Sequence, residues 1–317
     1  MISAALPAAV RNRAVSQGSQ TWLDDLDDRV GRLCRDWRLR PIRLLDGGTA
    51  ALVLQVVDAD GRPGALKISL PGLGFHHQLR LLARADGRGY VRLLRADPDA
   101  EVGLLELLGP SLAGEAGFRA GAGVPGGRPA EEQISVLCDL LAVAWQVPVR
   151  PEDRQSWDNA DELAALITRL WAELDRPCPE RVVDQALEYT RRRASTDRGH
   201  WVLVHGDPHP GNALQVRANR SGAVRGWVFV DPDGFTADPA YDVGVMLRDW
   251  SDLLLPGTAV DTLRGFCALA AARTGLAEQS IWEWAYVERV SSGLFVTAMG
   301  EPGHGRRFLQ TAELLLD

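Results

Sequence analysis

Apolar positions recur along the chain with two different periods. Up to about residue 108, short apolar or β-branched runs alternate with turn-forming residues. The stretch LLDGGTAALVLQVVDADGRPGALKISL predicts strand, glycine turn, strand, hairpin and strand. A short helix is predicted at FHHQLRLLARA, and two more strands at YVRLLRA and VGLLELL. One amphipathic helix precedes this tract, because apolar residues repeat at helical spacing at Trp22, Leu26, Val30, Leu33 and Trp37.

Helical periodicity dominates from Glu131 onward. Helices are predicted over about 131–145, 163–174, 180–194, 240–252, 258–274 and 278–298, with a short one from Arg306. Between the two parts, Gly109-Pro110 and the loose tract GEAGFRAGAGVPGGRP favour a boundary. We therefore predict an α+β chain with a β-rich N-terminal lobe over 1–108, including its leading helix, and a helical C-terminal lobe over 109–317.

Composition narrows the classes of function. The 317 residues are 46% hydrophobic and 24% charged, as in ordinary globular enzymes. A net charge of -7 argues against nucleic acid as a partner and weakly favours a cationic small molecule. The four cysteines are far apart and form no CxxC pattern, so we expect a reducing cytoplasm. Neither a signal peptide nor a membrane span is predicted, and the sequence carries no signal for an oligomeric state.

The densest chemistry lies in WVLVHGDPHPGNALQV and, after it, WVFVDPDG. An apolar run ends at His205-Gly206-Asp207, Asn212 follows a Pro/Gly-rich loop, and a later run delivers Asp231. Two carboxylates and a carboxamide at the ends of strand-like segments suit one or two hard divalent ions with a base beside them. The trio His205, Asp207 and His209 also leaves open a metal-dependent hydrolase, although the other histidines are isolated.

The spacing H-x-D-x-x-x-x-N, joined to a strand-borne D-x-x-G, favours phosphoryl transfer. That reaction needs a carboxylate that orients the attacking hydroxyl and accepts its proton, and magnesium ions that gather the charge of the transferring group. Magnesium usually takes only one or two side-chain oxygens, which Asn212 and Asp231 can supply. His205 would brace the loop rather than react.

Two features of the first lobe have more than one interpretation. Gly47, Gly48 and Thr49 would let backbone N–H groups approach phosphate oxygens, yet adjacent glycines also suit an ordinary hairpin turn. Lys67 lies inside the apolar strand Ala65-Leu66-Lys67-Ile68, where it either binds phosphate or faces solvent.

HGDPHPGN followed by VFVDPDG resembles the aminoglycoside phosphotransferases, which share the two-lobed fold of protein kinases. The likeness extends over nearly the whole chain. Segments such as LLELLGPSL and DPAYDVGVMLRDW look like the branch that contains streptomycin 6-kinases and hydroxyurea phosphotransferases. The resemblance implies a kinase of small molecules that uses ATP and Mg²⁺.

The resemblance also implies roles for residues of the second lobe. Asp207 would be the catalytic base, and Asn212 and Asp231 would hold magnesium. Asp242, in DPAYD, would buttress the catalytic loop.

In the first lobe, Lys67 would contact the α- and β-phosphates and the loop 47–49 would cover them. The Glu106 carbonyl and the Leu108 amide would meet the nucleobase. Kinases pair the strand lysine with a helix glutamate, but this chain has no glutamate between Lys67 and Glu101 and offers Gln78 instead. The phosphate loop also lacks a full G-x-G-x-x-G. These departures keep a kinase-like binding protein without turnover as an alternative.

The implied acceptor is an aminoglycoside of the streptomycin type, whose cationic groups need carboxylates. Asp233 is the leading candidate because it lies next to the metal carboxylate. Other acidic residues, each more typical of a solvated surface, are Asp238, Asp249, Asp252, Glu283, Glu288 and Glu301. A kinase of another small hydroxylated metabolite or sugar is the alternative within the same chemistry.

Overall fold

The computed structural model describes residues 5–45, 50–114 and 128–316. The chain forms two compact units, the first comprising Met1–Gly109 with Val216–Gly226 and the second comprising Pro110–Gln215 with Trp227–Asp317. Residues 216–226, which were predicted to belong to the second lobe, pack with the first unit. The predicted α+β architecture, with a small β-rich part and a mostly helical part, is confirmed.

The first unit is built on an antiparallel sheet of five strands in the order β1-β2-β3-β5-β4. The strands are β1 Arg40–Leu44, β2 Ala51–Val57, β3 Pro63–Ser69, β4 Leu93–Asp97 and β5 Val102–Glu106. The helices of this unit are α1 Ala8–Ser16, α2 Gln20–Asp24, α3 Leu26–Asp36 and α4 Phe75–Ala85. The predicted leading helix is thus two helices, and α1 was not predicted.

The core of the first unit follows from the two periodicities. In β2, alternate residues Leu52, Leu54 and Val56 are fully buried or nearly so, and they join the apolar face of α3 at Leu26 and Val30 in one cluster. Each fully buried leucine or valine contributes about 1.5–3 kcal/mol. The helices before the sheet therefore belong to the fold and cover one face of it.

The second unit is mostly helical. Its helices are α5 Ala130–Ala144, α6 Asn159–Glu173, α7 Glu180–Ala194, α8 Pro239–Leu247, α9 Ala259–Thr274, α10 Glu278–Ala298 and α11 Pro302–Leu314. Two short antiparallel pairs accompany them: β6 Val202–Leu203 with β9 Thr236–Ala237, and β7 Ala213–Gln215 with β8 Trp227–Phe229. Helix α10 is buried around most of its circumference, as the wide apolar face had predicted. Helix α11 begins at Pro302, earlier than expected.

The loop between β7 and β8 is the segment that joins the first unit. There, the Gly89 N–H donates to the Gly222 carbonyl at 2.8 Å. Arg220 donates from Nη1 to the Gly87 carbonyl at 2.6 Å and from Nε to Glu106 Oε2 at 3.0 Å. Gly222 has a φ of 82° and lies so close to Gly87 that a Cβ would stand 2.4 Å from its carbonyl oxygen. A glycine and an arginine thus fix this loop.

A helix that crosses a bilayer needs about 20 mostly apolar residues. Within residues 5–45, 50–114 and 128–316, no helix combines that length with that apolar character.

Gly244 lies in α8 where this helix packs on α10. A Cβ at Gly244 would stand 2.5 Å from the Cβ of Trp284 and 2.6 Å from its carbonyl carbon. We expect Gly244→Ala to lower the free energy of unfolding by about 1–3 kcal/mol, because backbone and not a flexible side chain must move. Urea unfolding followed by circular dichroism measures this change.

Gly265, inside α9, provides the matched control, since a Cβ there meets nothing within 4 Å. Gly265→Ala is expected to raise stability by up to about 1 kcal/mol, through helix propensity and reduced freedom of the unfolded chain. Equal effects of the two substitutions would contradict the close approach of α8 and α10.

Candidate active site

The loop from His205 to Asn212 follows β6 and carries Asp207. Gly206 adopts a φ of 89°, and a Cβ there would stand 2.6 Å from Asp233 Oδ2. The Asp233 N–H also donates to the His205 carbonyl at 2.7 Å. Only glycine combines this backbone conformation with so close a neighbour. The glycine of H-G-D therefore lets the segment around Asp233 pack directly on the loop.

Asp242, in α8, is fully buried and binds the backbone of the loop. Its Oδ2 accepts from the His205 N–H and from Trp145 Nε1, each at 2.8 Å, and its Oδ1 accepts from the Gly206 N–H at 2.8 Å. Burial raises the pKa of the Asp242 carboxyl to about 6, and the three donors oppose that rise. The predicted buttress by Asp242 is confirmed.

The two histidines of the loop are structural. His205 Nε2 lies 2.9 Å from the Val230 carbonyl, to which it donates, and Nδ1 accepts from the Asp207 N–H at 3.1 Å. Burial lowers the pKa of His205 to about 4, so the ring is neutral and both nitrogens are engaged. His209 Nδ1 accepts from the Gly211 N–H at 3.0 Å. The brace predicted for His205 is confirmed, and these bonds disfavour the histidines as metal ligands of a hydrolase.

The Asp207 carboxylate is held on two sides while 39% of its side chain stays exposed. Arg248 Nη2 donates to Oδ1 at 2.7 Å, and His209 Nε2 lies 3.5 Å from Oδ2. Burial lowers the pKa of His209, which favours the neutral ring. With its Nδ1 accepting, that ring carries its hydrogen on Nε2 and faces Oδ2 with it. A fixed but accessible carboxylate can receive a proton from a hydroxyl group.

The backbone places Asn212 beside Val230, the residue before Asp231, because the Val230 N–H donates to the Asn212 carbonyl at 2.9 Å. Asn212 Nδ2 donates to the Asp207 carbonyl at 2.9 Å, which fixes the carboxamide. Asp231 has a left-handed φ of 56°, a conformation that aspartate tolerates better than most residues.

These two side chains offer hard oxygen donors. In the part of the chain that the structure describes, no group of three or more His, Cys, Asp and Glu side chains could hold a metal ion. Magnesium needs only one or two side-chain ligands when phosphate and water complete its octahedron. The carboxamide of Asn212 and the carboxylate of Asp231 therefore fit this ion.

Asp233 lies against the loop in an acidic environment. Burial of its carboxyl, followed by the nearby carboxylates of Asp207 and Asp242, raises the pKa of Asp233 to about 7. Solvent nevertheless reaches a large part of the residue. The Asp233 carboxyl group thus lies close to the Asp207 carboxylate in a place that a solute can reach.

In the first unit, Lys67 lies at the middle of β3, opposite Val53 and Gly103 of the neighbouring strands. Its exposed fraction is only 7%, so the solvent-facing interpretation was wrong. The Nζ atom donates to Gln78 Oε1 of α4 at 2.9 Å. Gln78 thus occupies the position expected for the missing glutamate.

The other nucleotide-site predictions concern a loop and the end of β5. Gly47, Gly48 and Thr49 lie outside the described residues. Glu106 ends β5, and Leu108 follows two residues later. The Glu106 side chain accepts from Arg220 Nε and, at 2.8 Å, from the Arg92 N–H, so any contact with a nucleobase falls to its backbone.

Sequence reasoning missed Arg248, the cation that contacts Asp207. A basic residue just after a helix is ordinarily explained by the helix dipole, so nothing in the motif pointed to the loop. The expectation of solvated surface charges was wrong for Asp249, Glu283 and Glu288, which are 6%, 1% and 2% exposed. Glu283 pairs with Arg193 at 2.8 Å, and Glu288 pairs with Arg248 at 2.9 Å.

Relatives of known activity match the chain along most of its length. A streptomycin 6-kinase from Streptomyces glaucescens is 27% identical over 289 residues, which cover 91% of this chain and 88% of that protein. A hydroxyurea phosphotransferase from Kitasatospora aureofaciens is 27% identical over 315 residues, which cover 97% of this chain and 84% of that one.

Solved structures and family models agree on the fold. The structure of a macrolide 2'-phosphotransferase type I superposes with a TM-score of 0.56 at 18% identity, covering 90% of this chain and 95% of that one. The model of the phosphotransferase enzyme family matches residues 41–278. The chain therefore belongs to the phosphotransferase enzyme family and has its two-lobed, protein-kinase-like fold.

Proposed function

We propose that this protein is an ATP- and magnesium-dependent kinase that phosphorylates a hydroxyl group of a small molecule, with an aminoglycoside of the streptomycin type as the leading acceptor. The observation that carries the proposal is the loop around Asp207. There, the Asp242 carboxylate accepts from the two backbone N–H groups before Asp207, and the Asn212 carboxamide donates to the Asp207 carbonyl. The carboxylate is fixed yet open to solvent.

In the proposed reaction, the acceptor oxygen forms a bond to the γ-phosphorus of ATP. The bond from that phosphorus to the β–γ bridging oxygen breaks, and its electron pair leaves with ADP. The hydroxyl proton passes to the Asp207 carboxylate, which acts as the catalytic base.

Residues of the first unit would bind the nucleotide. Lys67 would contact the α- and β-phosphates, and Gly47, Gly48 and Thr49 would cover them. The Glu106 carbonyl and the Leu108 amide would meet the nucleobase. Asn212 and Asp231 would hold Mg²⁺, which when bound neutralises charge on the phosphates.

The proposed acceptor is cationic. Relatives named streptomycin 6-kinase support it, and so do the carboxylates around Asp207, among which Asp233 would bind an ammonium or guanidinium group. Phosphorylation would inactivate such an antibiotic. The free thiols of Cys34, Cys138, Cys178 and Cys267 support a reducing cytoplasm, where ATP is also available.

Asp207→Asn tests the proposal. The asparagine keeps the shape of the side chain but cannot accept the proton, so we expect kcat to fall by about 100- to 10,000-fold, as for loss of a general base. Binding of Mg²⁺ with a non-hydrolysable ATP analogue should change little. ADP release with streptomycin, related aminocyclitols and a panel of sugars measures the first effect, and calorimetry measures the second.

The panel also separates the acceptor classes. Turnover with streptomycin supports the leading acceptor, and turnover with sugars alone favours another hydroxylated metabolite. Nucleotide binding without ADP release for any acceptor would favour a binding protein. Wild-type rates in Asp207→Asn would overturn the assignment of the base.

Gln78→Glu tests the partner of Lys67. A carboxylate would add a Coulombic attraction to the hydrogen bond that the Lys67 ammonium already makes, and it would hold the group more firmly than a neutral amide does. We expect the KM for ATP to fall by about two- to fivefold, a modest part of the difference between charged and neutral hydrogen bonds. Steady-state ADP release at varied ATP measures it.

Gln78→Ala serves as the opposite control, since it removes the hydrogen bond and should raise the KM for ATP. If both substitutions shift that KM in the same direction, the bond between Gln78 and Lys67 does not position the lysine for the nucleotide.

A further inference from the structure

Arg248 lies just after the end of α8 and bridges two carboxylates of the second unit. Its Nη2 donates to Asp207 Oδ1 at 2.7 Å, and its Nη1 donates to Glu288 Oε2 at 2.9 Å. Ser292 Oγ, one turn further along α10, lies 3.1 Å from the same Nη1. The two nitrogens of the guanidinium therefore have different partners: Nη1 binds side chains of α10, and Nη2 binds Asp207 in the loop.

The anchor is rigid for two reasons. Glu288 is 2% exposed, so its carboxylate has little freedom and depends on a cation for compensation. The backbone before Arg248 is also tied to α10, because the buried Arg289 donates from Nη2 to the Leu247 carbonyl at 2.7 Å. Burial alone would lower the pKa of Arg248, but Asp207 and Glu288 outweigh it and hold that pKa above its ordinary value.

The bridge fixes the orientation of Asp207. Oδ1 is engaged by Arg248, and Oδ2 faces His209 Nε2 at 3.5 Å. Rotation of the carboxyl group about its bond to Cβ would break the 2.7 Å contact. A base that must meet a hydroxyl proton in line with phosphoryl transfer gains rate from such fixed geometry. A carboxylate on a loop, with 39% of its side chain exposed, would otherwise sample several rotamers.

We propose that Glu288 and Arg248 are positioning residues: Glu288 orients Arg248, and Arg248 holds the Asp207 carboxylate in the orientation that receives the proton of the acceptor. This inference rests on the proposed function, since it requires Asp207 to be the base. Neither residue needs to touch the acceptor, because both act through Asp207.

Another buried glutamate of α10 supplies a matched control. Glu283 is 1% exposed and pairs with Arg193 at 2.8 Å and with Arg192 at 3.3 Å, and Glu288 pairs with Arg248 at 2.9 Å. Arg193, however, is bonded to Ser280 and lies 3.7 Å from Asp238 rather than beside Asp207. A general effect of losing a buried ion pair should be the same at both glutamates, whereas a positioning role belongs to Glu288 alone.

The experiment compares Glu288→Gln, Arg248→Lys and Glu283→Gln with the wild type and Asp207→Asn, using the full chain. We measure kcat and the KM for ATP by ADP release, binding of Mg²⁺ with a non-hydrolysable ATP analogue, and the thermal midpoint. Glu288→Gln should lower kcat by about 10- to 100-fold, the size expected when a catalytic group is misplaced, with the KM for ATP nearly unchanged. Glu283→Gln should lower the thermal midpoint similarly but leave kcat within about twofold, since small displacements are costly only near the reacting atoms.

Arg248→Lys keeps a charge but cannot span two carboxylates as a planar fork does. Its kcat should lie between those of the wild type and Asp207→Asn. If single variants fold poorly, Arg248→Met combined with Glu288→Met removes both charges and so avoids an isolated buried charge. This double variant should bind the ATP analogue and still lose kcat.

The outcomes separate the two levels of the proposal. The positioning role alone is overturned if the wild type is active and Asp207→Asn is inactive, but folded Glu288→Gln and the double methionine variant both keep a normal kcat. Equal losses of kcat in Glu288→Gln and Glu283→Gln at equal thermal midpoints overturn it as well. Undiminished turnover in Asp207→Asn overturns the proposed function and this inference with it.

Discussion

The second unit depends on one buried carboxylate. Asp242 accepts hydrogen bonds from two backbone N–H groups of the loop His205–Asn212 and from the indole of Trp145, the residue that caps the end of α5. Burying a carboxylate is costly unless hydrogen bonds replace its water, and three donors at 2.8 Å do so. The same bonds fix α8, α5 and the loop to one another. This arrangement fixes the backbone position of Asp207, so the candidate base depends on Asp242 for its placement.

The contact between α8 and α10 adds a second level of order. Gly244 lets the two helices approach so closely that a Cβ at this position would lie 2.5 Å from the Cβ of Trp284. Arg289 donates to the last carbonyl of α8. With that end fixed, Arg248 can meet Glu288 and Asp207 at once. Packing of α8 on α10 thus fixes the backbone before Arg248, and the buried carboxylate of Glu288 orients the Arg248 side chain. Through these contacts, the packed helices of the core determine where Arg248 meets Asp207 in the loop.

Most elements could be predicted because their patterns are local. The helix at Glu180–Ala194 and the strands around Lys67 follow from periodicity and turn formers. The loop and its support by Asp242 followed from a resemblance carried by short motifs. Arg248 could not be predicted, because its two carboxylates lie 41 and 40 residues away along the chain and meet only after α8 packs on α10. The same holds for Arg220, whose partner Glu106 is 114 residues distant.

The bond between Lys67 and Gln78 shows how a departure from a motif can preserve its geometry. An amide oxygen accepts from an ammonium group at 2.9 Å and sets its direction, as a carboxylate would. Unlike a carboxylate, it adds no opposite charge to attract the ammonium, which is held by the hydrogen bond alone. Orientation and neutralisation are therefore separable, and glutamine supplies the first without the second. The missing glutamate removes a charge beside Lys67 but does not remove the contact that positions this lysine.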